Sequence, residues 1–164
     1  ERLGGAIGEV RRISHDLRPA LLDTLGLPAA IGQLAREFEQ RCGLDVVYRN
    51  GLGDAELPAA SAVALFRIVQ EALTNIERHA RASTVHIDLA AGPLGVELAV
   101  RDDGVGFNPR KIEQLPGGIG LRNIRERVEH LGGQFSLSSN SGHTGICVLL
   151  PAPAIPASAP TPAT

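Results

Sequence analysis

Residues 66–83 have the sequence FRIVQEALTNIERHARAS, and the predicted helix has two chemically different sides. Glu71, Asn75 and Arg78 follow one another at i, i+4 and i+7, which places them along one line of a helix with His79 beside them. A carboxylate and an amide one turn apart offer oxygen ligands for Mg²⁺ and its waters, and a guanidinium suits phosphate. A polar stripe is also typical of a helix that simply faces solvent. The opposite side carries the apolar residues needed for packing: Val69, Leu73 and Ile76.

The segment DDGVG, residues 102–106, directly follows an alternating stretch that predicts a strand. Gly104 and Gly106 lack a side chain and would let the backbone approach a flat ligand closely. Asp102, at the end of the strand, can accept a hydrogen bond from an exocyclic amine such as that of adenine. The alternative is an ordinary tight turn, because Asp-Gly is a common turn signal.

A second glycine cluster, GGIGL at residues 117–121, opens a predicted helix. The free backbone amides at a helix N-terminus form a ready site for phosphate. The cluster matches neither the P-loop pattern nor the dinucleotide-binding pattern, which excludes both of those nucleotide folds. Taken alone, it is equally typical of a flexible linker. The polar helix and the two glycine segments follow one another closely, however, and their combination favours a single nucleotide site.

The composition argues against several other classes of function. The 164 residues carry a net charge of −2, so binding to nucleic acid through a strongly basic surface is not expected. One Tyr, four Phe and no Trp also make a base-stacking platform improbable. Cys42 and Cys147 belong to no metal-binding pattern, which argues against a disulfide framework or a zinc site. No apolar run approaches the roughly 18 residues of a membrane span.

The periodicity of the apolar residues predicts an alternation of helices and strands. Residues 1–22 form a helix with a stripe at the coiled-coil period, so it is expected to pack against other helices. Residues 151–164 are rich in Pro and Ala and are expected to be disordered. The order of elements predicts an α/β (α+β) two-layer sandwich, a mixed sheet with helices on one face. The other predicted elements are helices 27–41, 59–81 and 121–131, and strands 44–49, 84–91, 95–102, 134–139 and 146–150.

Four of these segments together carry a resemblance to a known family. Residues 66–83 resemble the N box of the GHKL ATPase superfamily in its histidine-kinase form, and DDGVGF at 102–107 resembles the G1 box. GGIGLRNIRERVEHLGG at 117–133 resembles the G2 box, and SGHTG at 141–145 is similar to the later Gly/Thr element. Further upstream, residues 10–27 are similar to the end of the dimerisation region in sensor kinases whose response regulators have helix-turn-helix outputs.

The resemblance implies a Bergerat-type ATP-binding fold and a domain plan. Residues 1–24 would be a remnant of the dimerisation and phosphoacceptor helices, residues 25–150 the catalytic domain, and residues 151–164 a tail. The implied activity is transfer of the ATP γ-phosphoryl group to a histidine, for relay to an aspartate of a response regulator. The implied partners are the protein's own dimerisation domain, in a homodimeric parent, and that regulator, without direct contact to nucleic acid. The implied location is cytoplasmic, with anchoring of the parent in the inner membrane left open.

The resemblance also implies roles at the phosphate end of the site, with ATP and Mg²⁺ as ligands. Asn75 would ligate Mg²⁺, and Glu71 would hold a metal-bound water. Arg78 and His79 would lie near the phosphates. The amides that cradle phosphate would come from the second glycine cluster: Gly118, Gly120 and Leu121.

At the base end, the resemblance implies that Asp102 reads the adenine amino group, with Thr144 helping through a water. Gly104 and Gly106 would make room for the base. Residues 107–117 would form a short lid over the nucleotide, without the Phe-rich insertion of other kinases of this kind.

His15 is followed by Asp16, as the phosphoacceptor histidine is in this subfamily. Pro19 stands four residues later, where the acceptor helix should continue, and Ala20 replaces the usual Gln or Asn. We therefore expect His15 to be a surface or interhelical residue, with the acceptor on a helix N-terminal to Glu1. Two alternative functions are weighed against this one: a non-catalytic nucleotide-binding or dimerisation module, and a GHKL ATPase or serine-directed kinase.

Overall fold

The computed structural model describes residues 20–109 and 119–151. The predictions for residues 1–19, including His15, for Gly118 and most of the lid, and for the tail after Pro151 lie outside these ranges. The helices are α1 (Ala20–Cys42), α2 (Ala59–Asn75), a π-helical turn (Ile76–Ala80) and α3 (Ile119–His130). The strands are β1 (Asp45–Gly51), β2 (Thr84–Gly92), β3 (Gly95–Asp102), β4 (Gln134–Asn140) and β5 (His143–Pro151).

The five strands form one mixed sheet in the order β1-β2-β3-β5-β4. Strand β1 runs parallel to β2, and all other neighbours are antiparallel. Burial alternates along β2, where Val85, Ile87 and Leu89 are buried and the residues between them are half-buried. This period of two means that one face of the sheet is covered and the other is more open.

The helices cover that buried face. Helix α2 packs between α1 and α3 and also contacts β3, while α1 contacts β1 and α3 contacts β4. The largest side chains of the resulting core come from α1 and α2, and Phe38, Phe66 and Ile31 are each at most 2% exposed. The structure therefore confirms the predicted two-layer sandwich. The predicted strands agree with the structure within a few residues, the largest difference being the start of β5 at His143.

Helix α1 consists of two helical pieces. Gly26 has a φ of 75° and a ψ of 166°, so the chain leaves the helical conformation there before Pro28 starts the second piece. The Tyr48 hydroxyl of β1 donates a hydrogen bond to the Pro28 carbonyl at 3.0 Å, which fixes the second piece against the sheet. The predicted helix 27–41 is therefore confirmed. No helix within the described part of the chain is long and apolar enough to cross a membrane.

The end of the long helix differs from the prediction of one regular helix over 59–81. Helix α2 is α-helical to Asn75, and residues Ile76–Ala80 form a π-helical turn that ends at Arg81 with a φ of 50°. The amide of Val105 donates to the Ala80 carbonyl at 2.7 Å, so the DDGVG loop satisfies a carbonyl at the end of this turn. This contact comes from a distant segment, which explains why helical periodicity did not predict the wider turn.

Candidate functional site

A pocket of about 190 Å³ lies between the end of α2, the π-helical turn and the adjoining ends of β3 and β5. Its polar groups are contributed by different elements but converge on one space, whereas most of its wall is apolar. An apolar pocket with a few convergent polar groups is typical of a small-molecule site. The polar side chains are Asn75, His79, Asp102 and Thr144. The apolar lining is Ala72, Ile76, Ala80, Val100, Phe107, Leu121 and Ile146.

Asp102 lies at the end of β3 and is only 4% exposed. Its Oδ1 accepts a hydrogen bond from the Gly104 amide at 2.9 Å. Burial raises the pKa of this carboxyl, while the Gly104 amide and the nearby His143 act in the opposite direction. A buried carboxyl that lines a pocket is a strong acceptor for an N–H donor, because the ligand replaces the lost water.

Asp103 has a different role from its neighbour. Its Oδ1 accepts hydrogen bonds from the amides of Ser83 at 2.7 Å and Thr84 at 2.9 Å, which ties the end of β3 to the start of β2. These hydrogen bonds lower the pKa of Asp103, because they stabilise the charged form. The sequence predicted no role for Asp103. The only signal for this residue is that it is a second acidic residue at a strand end.

Gly104 and Gly106 are required by the packing of the protein itself. A Cβ at Gly104 would lie 2.7 Å from Asp102 Oδ1 and 2.8 Å from the Ala80 carbonyl carbon. At Gly106, which has a φ of 66°, a Cβ would overlap the Asn140 carbonyl group. Gly106 also lines the pocket. Packing within the protein therefore requires glycine at both positions, independently of any ligand.

Thr144 lies on β5 directly opposite Asp102 on β3, so the two side chains share the helix-facing side of the sheet. The Thr144 hydroxyl is 2.9 Å from the Ser139 hydroxyl of β4, and the Phe107 amide donates to Ser139 Oγ at 2.9 Å. The sequence did not predict a role for Ser139. One serine in a strand with three serines carries no signal that separates it from the others.

Asn75 and Glu71 are half-buried on consecutive turns of α2. Asn75 lines the pocket, and Glu71 lines an adjoining cavity together with Gly120. A Cβ at Gly120 would strike the Glu71 carboxylate, so α3 begins directly against this side chain. Within residues 20–109 and 119–151, no three His, Cys, Asp or Glu side chains form a metal cage. The donors nevertheless fit Mg²⁺, which commonly takes one or two protein oxygens and completes its shell with waters and phosphates.

His79 and Arg78 are placed differently by the π-helical turn. His79 lines the pocket together with Asn75, whereas Arg78 is exposed and is not among the lining residues. The prediction that Arg78 continues the line of Glu71 and Asn75 assumed α-helical spacing, and the wider turn changes that direction. Leu121 also lines the pocket, as the predicted phosphate-binding helix start requires.

The fold and this pocket define a nucleotide-binding domain of the kind that the motifs indicated. Residues 60–154 match the family of Histidine kinase-, DNA gyrase B-, and HSP90-like ATPases. The chain belongs to this family.

The curated relatives are sensor kinases. The chain is 40% identical to the sensor histidine kinase MctS of Rhizobium johnstonii over 92% of its own length and 33% of that protein. It is 37% identical to the signal transduction histidine-protein kinase/phosphatase DegS of Brevibacillus brevis, over 85% of the chain and 36% of that protein. The chain thus spans about a third of the length of these relatives. Their names support the histidine-kinase interpretation over the two alternatives.

Solved structures show the same fold. The histidine kinase domain of the blue-light activated kinase from Erythrobacter litoralis EL346 superimposes with a TM-score of 0.64, at 24% identity, over 77% of this chain and 61% of that one. The histidine kinase AdeS of Acinetobacter baumannii gives a TM-score of 0.60 at 16% identity, over 76% and 64%. These likenesses confirm the predicted ATP-binding fold.

Proposed function

We propose that this chain is the ATP-binding catalytic domain of a two-component sensor histidine kinase. The observation that carries the proposal is the pairing of buried Asp102 with Thr144 at one end of the pocket and of Asn75 with Glu71 at the other. One end offers hydrogen bonds to a base, and the other offers oxygen ligands to a metal. ATP·Mg²⁺ is a ligand with both requirements.

At the base end, Asp102 accepts a hydrogen bond from the adenine amino group, and Thr144 assists through a water. Val100 and Ile146, which are cross-strand partners one row further in, provide the apolar floor for the ring. Phe107 lines the pocket from the loop that follows the two glycines. The selectivity for adenine follows from the buried carboxyl, because a base without an amino donor would leave it unpaired.

At the phosphate end, Asn75 would hold Mg²⁺, and Glu71 would hold one of the metal's waters. When bound, the metal neutralises charge on the phosphates. His79 lies on the pocket wall beside Asn75, and the amides of Leu121 and Gly120 receive phosphate at the start of α3. Gly118, which was predicted to share this role, lies outside the described residues. Exposed Arg78 approaches the phosphates only from the rim.

The reaction moves the γ-phosphoryl group from ATP to a ring nitrogen of a histidine. An N–P bond forms, the bond between the γ-phosphorus and the bridging oxygen breaks, and ADP leaves. The protein contributes positioning and charge neutralisation rather than covalent chemistry. The acceptor histidine is on the dimerisation domain of the homodimeric parent, N-terminal to Glu1. The phosphoryl group then passes to an aspartate of a response regulator.

Calorimetric titration with ATP, with and without Mg²⁺, tests the nucleotide site. We expect one-to-one binding that Asp102→Ala weakens by about 10- to 100-fold, the loss expected for a hydrogen bond to a charged group. Asp88→Asn is the matched control, because Asp88 lies on the other side of the sheet in surface ion pairs with Arg49 and Arg101. A folded protein that binds no ATP would contradict the proposal and favour an interaction module.

Incubation with γ-labelled ATP tests the location of the acceptor. The chain alone is expected to give no acid-labile phosphohistidine, whereas a longer protein that includes the upstream helices is expected to give one. Label on His15 in the chain alone would contradict the assignment of the acceptor to an upstream helix. Loss of that label in His15→Gln would identify His15 as the labelled residue.

A further inference from the structure

Three polar side chains lie in a line across three strands at the end of the sheet. Ser139 on β4 is directly opposite Thr144 on β5, and Thr144 is directly opposite Asp102 on β3. We call Ser139, Thr144 and Asp102 the polar row. The next row inward is apolar, with Leu137, Ile146 and Val100 in the same strands. The polar row therefore closes the apolar face of the sheet at the pocket.

Only two members of the polar row line the pocket. Asp102 and Thr144 are on its wall, whereas Ser139 lies behind Thr144 and is half-buried. Ser139 Oγ accepts a hydrogen bond from the Phe107 amide at 2.9 Å and lies 2.9 Å from Thr144 Oγ1. Phe107 lines the pocket as well. Ser139 thus contacts two wall residues without being on the wall.

The hydrogen bonds of the Ser139 and Thr144 hydroxyl groups can be assigned one proton at a time. A hydroxyl has one proton and two acceptor positions. One acceptor position of Ser139 is used by the Phe107 amide. Its proton can go to Thr144 Oγ1 at 2.9 Å, or to the His143 carbonyl at 3.3 Å while Thr144 donates to Ser139. A hydrogen-bond acceptor in the pocket selects the first arrangement. When Ser139 donates to Thr144, the Thr144 proton is available to the pocket.

This arrangement matches one edge of adenine. The amino group of adenine is a donor, and the ring nitrogen N1 beside it is an acceptor. Asp102 supplies the acceptor for the amino group, so a donor from Thr144 completes the pattern. We propose that Ser139 is a positioning residue for nucleobase recognition, which holds the Thr144 hydroxyl as a hydrogen-bond donor toward adenine N1, directly or through one water. This inference rests on the proposed function.

The test compares ADP with 1-deaza-ADP, in which a C–H group replaces N1, by calorimetry on the full chain. The wild type is expected to prefer ADP by about 3- to 10-fold, the range for one neutral hydrogen bond. Ser139→Ala should reduce this preference to less than about 2-fold. Its preference for ADP over purine riboside diphosphate, which lacks the amino group, should stay unchanged, because Asp102 is intact.

Three variants separate positioning from a structural role. Ser139→Thr keeps a hydroxyl and should restore the preference for N1. Ser138→Ala is the matched control, because this neighbouring serine lies on the opposite face and should change neither ratio. In a Thr144→Val background, Ser139→Ala should have no further effect on the ratio, because the group through which Ser139 acts is gone.

The proposal is overturned if Ser139→Ala weakens ADP and 1-deaza-ADP by the same factor, since that result means a structural role only. It is also overturned if the wild type does not distinguish the two ligands. Failure of the proposed function has a different signature: the wild type binds no ADP, or Asp102→Ala leaves its affinity unchanged. If Asp102→Ala weakens ADP binding as expected and Ser139→Ala keeps the N1 preference, only the inference about Ser139 fails.

Discussion

The two ends of the pocket are built on different principles. At the strand end, which comprises Ser139, Thr144 and Asp102, neighbouring side chains are brought together by the hydrogen-bonded register of adjacent strands. At the helix end, which comprises Glu71, Asn75 and Gly120, two helices meet through side-chain packing. Backbone pairing fixes positions more rigidly than contact between side chains, so the strand end should tolerate change less well.

The largest contrast should come from adding one methyl group at each end. Gly106→Ala places a Cβ into the Asn140 carbonyl, beside the strand end, at a φ of 66°, so backbone rather than a flexible side chain must shift. We expect the free energy of unfolding to fall by about 3 kcal/mol, from strain and overpacking together. Urea denaturation measures this loss.

Gly120→Ala is the matched substitution at the helix end. Here the methyl group meets the carboxylate of Glu71, the far end of a flexible side chain, and alanine also favours the helix. We expect the stability to change by less than about 1 kcal/mol, while Mg²⁺-dependent nucleotide binding falls. Equal losses of stability for the two alanine variants would contradict the expected difference in tolerance between the two ends of the pocket.

Asn75→Ala should separate the metal from the base at the helix end. Loss of one oxygen ligand is expected to weaken Mg²⁺-dependent ATP binding by roughly tenfold, a typical effect on a metal site. The affinity for adenosine, which has no phosphate, should equal that of the wild type within experimental error. Titration of both ligands checks this, and an equal loss for adenosine would place Asn75 at the base instead.

The two neighbouring aspartates should respond to pH in opposite directions. The folded-state pKa of Asp103 is lowered by its backbone hydrogen bonds, so its stabilisation is present above the unfolded pKa and is lost as the pH falls through the folded value. The folded-state pKa of Asp102 is raised by burial, so its contribution becomes unfavourable as the pH rises through the unfolded pKa toward the folded one.

At neutral pH, Asp103→Asn should lower Tm by at most a few degrees, because solvent screens this exposed carboxylate. Asp102→Asn should leave Tm unchanged or raise it, although it weakens nucleotide binding. Thermal scans at pH 7 and at successively lower pH check the sign, because the difference between the variants should shrink as the pH falls through the lowered pKa of Asp103. A lower Tm for Asp102→Asn than for Asp103→Asn at pH 7 would contradict the expected order of the two variants.

The smallest effect is expected at the surface ion pair between Arg41 of α1 and Glu77 of the π-helical turn. Arg41 Nη2 and Glu77 Oε2 are 3.1 Å apart, but both side chains are well exposed, at 59% and 42%. Arg41→Ala should cost less than about 1 kcal/mol and leave nucleotide affinity unchanged. A larger loss of affinity would mean that this pair positions Asn75 and His79, and that the helix end extends to α1.

The amino-acid sequence was informative where short-range pattern and chemistry coincide. The alternation in residues 84–91 and 95–102 predicted strands β2 and β3, and the spacing of Val69, Leu73 and Ile76 predicted the buried side of α2. The glycine segments predicted positions that require glycine, and the structure gives a reason in the protein's own contacts at Gly104 and Gly106, while the predicted approach to a ligand stays a prediction. These features depend on residues near one another in the chain, so their signal is local.

The sequence was less informative where distant segments meet. The π-helical turn is held by a hydrogen bond from Val105 to Ala80, 25 positions away, and it separates His79 on the wall from Arg78 at the surface. The division of labour between Asp102 and Asp103 is also a matter of tertiary contacts. Asp102 points into the helix-covered face, while Asp103 reaches back to the start of β2.

The sequence by itself determined the two-layer sandwich, the family resemblance and the polar side chains that line the pocket, because periodicity and motif chemistry depend on residues close together in the chain. Only the tertiary structure decided that Ser139, Thr144 and Asp102 form one row, because that row depends on which strands are neighbours and in which register. Ser139 and Thr144 belong to the local β4–β5 hairpin, but Asp102 joins them only through the pairing of β3 with β5, whose residues lie far apart in the chain.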